Sequence, residues 1–168
     1  SLGYGFAGMY SGKPGDPIDC SGMVSQSAYA SGFGYLNNSI KGKDNNGVKN
    51  IVQQPMTRKI KKDNIVDGNI IVFPNESHVA FVKDIIRNEN GVVTGMTLVH
   101  SEFSQGPNID KIDLTNKDNY YVRKYLGENA KNAKFYAWDS PDQLPVNVNG
   151  PPAQKTIAEF GYSLLKRN

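Results

Sequence analysis

The sequence predicts an α+β fold in which one helix near the N-terminus packs on an antiparallel sheet. Three observations lead there. Met23, Val24, Ser27 and Ala28 recur at helical spacing behind Asp19 and Ser21, two natural capping residues, with Gly32 placed as a stop. Two apolar runs, Asn69-Ile70-Ile71-Val72-Phe73 and His78-Val79-Ala80-Phe81-Val82 continuing to Ile86, have strand length and are joined by the turn residues Pro74-Asn75-Glu76. Three more strand-like segments follow, at 91–100, 109–114 and 133–138, so the sheet reads as a meander.

From the N-terminus, residues 1–17 are rich in Gly, Pro and aromatics and read as a shaped loop. The helix begins at Cys20. Residues 34–64 are polar and dense in Asn, Lys and Gly, which predicts loops with one short helix near 49–54, forming a wall of a cleft. The basic run Arg58-Lys59-Ile60-Lys61-Lys62 reads as a solvated loop within it. Asp67-Gly68 and residues 88–91 are turns. Beyond the last strand, Pro141, Pro145, Pro151 and Pro152 mark a linker, and Ile157, Phe160 and Leu164 share one helical face. The expected organisation is a domain over 1–138 and, over 139–168, a linker and helix docked on it.

Composition narrows the function. A chain of 168 residues is long enough for one domain with a real core. It has no apolar run of membrane-spanning length, so no membrane insertion is expected. The net charge of +3 is small and the basic residues are dispersed without interleaved aromatics, which excludes a nucleic-acid partner. One cysteine rules out an internal disulfide. The chain opens at Ser1 without a charged-then-apolar leader, as expected of a processed form or of a domain cut from a longer protein. A monomer without cofactor is expected.

The chemistry centres on Cys20. A thiol of ordinary pKa, about 8.5, is a weak nucleophile at neutral pH and needs activation by a helix N-terminus or a nearby imidazole. The alternative is a small buried hydrophobe. The chain has only two histidines, and both stand at strand ends, His78 opening one strand and His100 closing its antiparallel neighbour. That pairing brings the two imidazoles together at one edge of the sheet. One can serve as base for Cys20 while the other bonds its second ring nitrogen. A metal held by Cys20, His78 and His100 is disfavoured, because the ligands lack short spacing.

Asp19-Cys20-Ser21-Gly22 before a helix, Asp67-Gly68-Asn69-Ile70-Ile71-Val72-Phe73, Ser77-His78-Val79-Ala80-Phe81-Val82 and Leu98-Val99-His100-Ser101 follow one another in an order that resembles the NlpC-type cell-wall cysteine peptidases of the papain-like superfamily. The resemblance covers about residues 1–115. It implies a papain-like fold and a triad of Cys20 as nucleophile, His78 as base and His100 as orienting group. Tyr4 looks like the family's upstream tyrosine that contacts substrate, with Tyr10 as its rival, because residues 9–16 lengthen the segment before the cysteine. Asp19 and Ser21 match positions that receive a free amine of the substrate, and Ser77 is added as a substrate contact beside the base. Asn69 and Ala80 depart from the Asp and Gly common in the family.

The resemblance implies a peptidoglycan stem peptide as substrate, most often at the bond between D-glutamate and the diamino acid. It implies a secreted enzyme at the periplasm or cell wall of the producing or of a target bacterium. As an antibacterial effector domain of a larger protein, the chain would have an immunity or inhibitor protein as partner. The rival readings are a CHAP-like amidase or endopeptidase, for which Glu102 is the residue to watch, an inactive wall-binding module, and an acyltransferase or thioesterase.

Overall fold

In the computed structural model, residues 19–30, 47–54, 56–102 and 106–139 are described. They form two helices, α1 (Cys20–Ala30) and α2 (Gly47–Val52), and six strands: β1 (Thr57–Ile60), β2 (Ile70–Val72), β3 (Val79–Arg87), β4 (Val93–Glu102), β5 (Gly106–Asp113) and β6 (Lys134–Trp138). All strand pairs are antiparallel, in the order β1-β6-β2-β3-β4-β5. The protein is α+β. No helix among the described residues is long and apolar enough to cross a membrane.

Helix α1 starts where the sequence places it because Asp19 caps it. The Asp19 Oδ1 accepts from the Gly22 N–H at 2.6 Å and from the Ser21 hydroxyl at 3.2 Å, satisfying one of the helix's open donors. Its buried face, Met23, Val24 and Ala28, packs with Val48 and Ile51 of α2 onto Ile70, Val72, Val79, Phe81 and Val99. The two helices approach closely at Gly47, where a Cβ would lie 2.3 Å from the Ser21 hydroxyl oxygen.

The opposite face of the sheet carries the alternate residues, Ile71, Phe73, Ala80, Val82, Met96, Leu98 and Ile112, covered by Leu114, Val122, Leu126 and Ala130. With both faces buried, β2 and the start of β3 are continuously apolar, which is why they were legible as strands.

Two expectations need correction. The basic run predicted as a loop contains β1, an edge strand paired with β6 and exposing Arg58 and Lys59. Charge on an edge strand blocks pairing with a further chain, so the pattern that looked like a loop is what an edge requires. The sheet is also not a simple meander: β2 through β5 form one, but β6 returns to pair with β2. The Trp138 indole N–H donates to the Gly68 carbonyl at 2.8 Å and anchors that return. Residues 114–133 contain a π turn at Val122–Leu126 that has no counterpart in the expected elements. The predicted linker and terminal helix after residue 139 lie outside the described residues.

Phe81 is fully buried in the layer between sheet and helices. Phe81→Ala is expected to cost about 3–5 kcal/mol, read as a lowered urea midpoint; a loss below about 1 kcal/mol would show that the layer collapses around the cavity.

Candidate active site

Cys20 opens α1 and is buried, at 6% exposure. Its sulfur lies at the open end of the β3–β4 ladder. The Phe73 N–H donates to the His78 carbonyl and the Val82 N–H to the Asn69 carbonyl, so residues 78 and 82 direct their backbone groups at β2 and the intervening Val79 directs its own toward β4. Pairing with β4 begins only at Phe81↔Val99. The Val79 N–H that this leaves over bonds the Cys20 sulfur instead.

Burial pushes the thiol up to about 11; the Val79 bond opposes this, the Asp19 charge adds to it, and the backbone of Ser21 and Cys20 opposes it. Burial also raises the Asp19 carboxyl, against the pull of its bonds from Gly22 and Ser21. The thiol is protonated at neutral pH.

The histidines meet as their strand positions require. His78 Nε2 and His100 Nδ1 are 2.7 Å apart. His100 is fully buried, and its Nε2 lies 2.7 Å from Asp110 Oδ2. Asp110 reaches His100 because Leu98 pairs with Asp110 and His100 with Asn108, which sets Asp110 diagonally across the β4–β5 ladder on the same face. The same Oδ2 accepts from the Tyr121 hydroxyl at 3.0 Å and from Asn108 Nδ2 at 3.3 Å. Burial, the Glu102 hydrogen bond and the charges of Asp110 and Glu102 raise the Tyr121 hydroxyl, keeping it a donor.

These bonds order the protons. With one proton on each ring, His100 donates Nε2–H to Asp110, its Nδ1 accepts from His78 Nε2–H, and His78 Nδ1 carries the lone pair. The ring of His78 is a base whose reactive nitrogen is chosen two residues away, at Asp110. Burial first, then the His100 charge, pushes His78 down to about 3, with Asp110 acting the other way. Phe73 packs edge-on against the His78 ring, with centroids 4.9 Å apart, and holds its plane.

No family model, curated protein or solved structure matches the chain.

Among the residues expected at the site, His78 and His100 are brought together, whereas Cys20 is not hydrogen-bonded to either ring. The sulfur belongs to the helix-covered layer with Val79, Phe81 and Val99, and the imidazoles lie on the other side of the sheet with Phe73 and Tyr121. Thiol and base thus flank the first residue of β3. Asp19 and Ser21 are buried in the cap. Ser77 sits in the β2–β3 turn, its N–H donating to the Pro74 carbonyl at 3.3 Å. Tyr4 and Tyr10 lie outside the described residues.

Asp110 and Tyr121 were not anticipated. Asp110 had a signal: it stands in the predicted strand at 109–114, on the alternate positions shared with Asn108. Tyr121 had none, because its segment has no regular period. Glu102, flagged as an acidic third group, is further from His100, with Oε1 at 3.7 Å from Nε2, and is bonded by Tyr121 and by Asn108 at 2.7 Å. His100, Glu102 and Asp110 offer atoms within 4.8 Å of one another and could hold a metal ion. A cation there would have to open the His100–Asp110 bond and displace the Tyr121 and Asn108 donors.

Two measurements follow from these protonation states. Thiolate absorbance absent from Cys20→Ala should rise only well above the ordinary thiol value of about 8.5; a midpoint below neutrality would mean a preformed thiolate–imidazolium pair. A histidine with a depressed folded pKa contributes stability above about pH 6.5 that is lost as pH falls toward 3. The urea midpoint of the unmodified protein should therefore fall more steeply across that window than that of His78→Gln, and equal slopes would refute a neutral His78.

Proposed function

We propose that the protein is a cysteine hydrolase that cleaves an amide bond in peptidoglycan stem peptides, with Cys20 as nucleophile, His78 as base and His100 as orienting group, on a papain-like NlpC-type fold. The observation that carries the reading is the hydrogen-bond chain His78–His100–Asp110 ending one residue from the backbone group that holds the Cys20 sulfur. The substrate class rests on the resemblance of the Asp19-Cys20-Ser21-Gly22, Ser77-His78 and Leu98-Val99-His100-Ser101 segments to the wall peptidases; the bond between D-glutamate and the diamino acid is the one proposed.

Since thiol and imidazole both rest neutral, the reaction follows a general-base course. On substrate entry the sulfur turns from the Val79 N–H toward His78 Nδ1. The thiol proton passes to that nitrogen as sulfur attacks the amide carbonyl, and backbone N–H groups at the start of α1 receive the oxyanion. Asp110 steadies the imidazolium through His100. His78 returns the proton to the leaving amine as the C–N bond breaks. Water, deprotonated by the same nitrogen, then cleaves the thioester and restores the thiol. The proposed setting is a secreted wall enzyme or a delivered effector domain, the latter with an immunity protein as partner.

A wall-binding module without activity is the second reading, favoured by the protonated thiol and its separation from His78. Incubation with purified peptidoglycan, with fragments identified by mass spectrometry, separates the two. The unmodified protein should release fragments that Cys20→Ala does not, and Asp110→Asn, which removes the negative charge and lets an amide N–H donor face His100 in place of an acceptor oxygen, should lower turnover by at least about 10²-fold. Binding without fragments would leave the module.

A further inference from the structure

Beside the base, the protein has an open cleft of about 830 Å³. Phe73, which packs on the His78 ring, and Ser77, the chain neighbour of His78, form one wall, and Lys124 and Tyr125 from the π turn face them. Lys134 enters from β6, where it pairs with Val72 at the end of β2. Two lysines against the single carboxylate of Glu76 give the lining an excess of positive charge. Among the described residues neither lysine is in a salt bridge.

Lys124 is also pre-positioned. Its Nζ donates to the Tyr120 hydroxyl at 3.1 Å and lies 5.2 Å and 5.5 Å from the ring centroids of Tyr120 and Tyr125, so two aromatic faces hold the ammonium without neutralising it.

The backbone around this opening is unusual in three places. Asn75 and Glu76 on one rim have φ of 61° and 50°, and Asn129 and Ala130, in the turn that leads to the lining residue Asn132, have φ of 55° and 56°. Left-handed non-glycine residues are strained and gather where a site needs a fixed shape. The third irregularity is the π turn itself, a rare form frequent at functional sites.

We propose that this cleft is the subsite for a carboxylate-bearing part of the substrate peptide, with Lys124 and Lys134 binding the carboxylate and the Tyr125 ring packing on the adjoining apolar atoms. The proposal rests on the hydrolase reading for the identity of the peptide and on the cleft alone for its charge. Lysines, as point charges on flexible stems, suit a single carboxylate whose orientation is set elsewhere, here by the reacting amide near His78.

The test uses the full chain carrying Cys20→Ala, titrated calorimetrically with a γ-D-glutamyl-diamino acid dipeptide bearing free carboxylates and with the same dipeptide amidated. The acid form should bind at least about tenfold tighter, lose that advantage in the Lys124→Gln/Lys134→Gln variant, regain it in Lys124→Arg/Lys134→Arg, and weaken with salt. Equal binding of acid and amide, no binding of either, or indifference to the glutamine pair in a variant with unchanged thermal unfolding would overturn it.

A second arm restores Cys20 and measures wall digestion. If the glutamine pair raises KM, both readings stand; if the wall is cut with unchanged KM, the cleft proposal falls and the hydrolase remains. Lysine-dependent binding of the acid dipeptide without digestion by the unmodified protein would sink the hydrolase and keep the carboxylate site.

Discussion

The hydrogen bond between His100 and Asp110 constrains more of this protein than any other contact. An imidazole with no solvent exposure must have partners at both nitrogens, because an unsatisfied buried polar group costs about 1–3 kcal/mol. Asp110 supplies one partner only if β4 and β5 pair in the observed register, and a slip of a single residue would turn its carboxylate to the opposite face. The carboxylate in turn needs donors, and those come from Asn108 on its own strand and from Tyr121 beyond the sheet. Tyr121 leads directly into the π turn at Val122–Leu126, so the same network fixes where the irregular segment 114–133 lies on the sheet. One buried ring therefore sets a register, a cover and the second neighbour of the base.

How much of this the sequence disclosed follows from the range of each interaction. Helix α1 was legible because its cap and its buried face lie within a dozen residues, and β2 and the start of β3 because burial on both faces leaves an unbroken apolar run. The neighbourhood of His78 and His100 was legible too, since antiparallel pairing through a short connection places them together whatever the details. Strand β1 was hidden, as its four residues form an edge whose charged composition is that of a loop. Asp110 was visible as a residue but not as a partner, because its role depends on a diagonal relation that only a known register supplies. Tyr121 acts across a segment without period, where no spacing argument applies.

The site straddles the sheet. The thiol comes from the helix layer and the imidazoles from the opposite layer, and the only backbone between them is the first residue of β3, Val79. This follows from alternation: His78 and Val79 are adjacent and must point to opposite faces. A nucleophile and a base on opposite faces can meet only where the sheet ends, and the β3–β4 ladder does end there, with Val79 unpaired to β4 and bonded to sulfur. The proposed hydrolase would require this open end of the ladder.

The balance at the thiol decides which chemistry is available. A helix N-terminus favours an anion by about 0.3–1 kcal/mol, and by about 2 kcal/mol at most when partly buried. Burial, with the Asp19 charge, outweighs the backbone bonds from Val79, Ser21 and Cys20 and pushes the thiol up to about 11. The resting sulfur is accordingly unreactive, and His78, held neutral by its burial, does not draw the proton away from it. What remains is a base with a defined free nitrogen and an acidic residue behind it, ready to stabilise an imidazolium as soon as one forms. In the proposed reaction proton transfer would be coupled to attack on a bound carbonyl, when the developing oxyanion and the charged ring appear together, and a protonated thiol would be protected from adventitious alkylation or oxidation between turnovers.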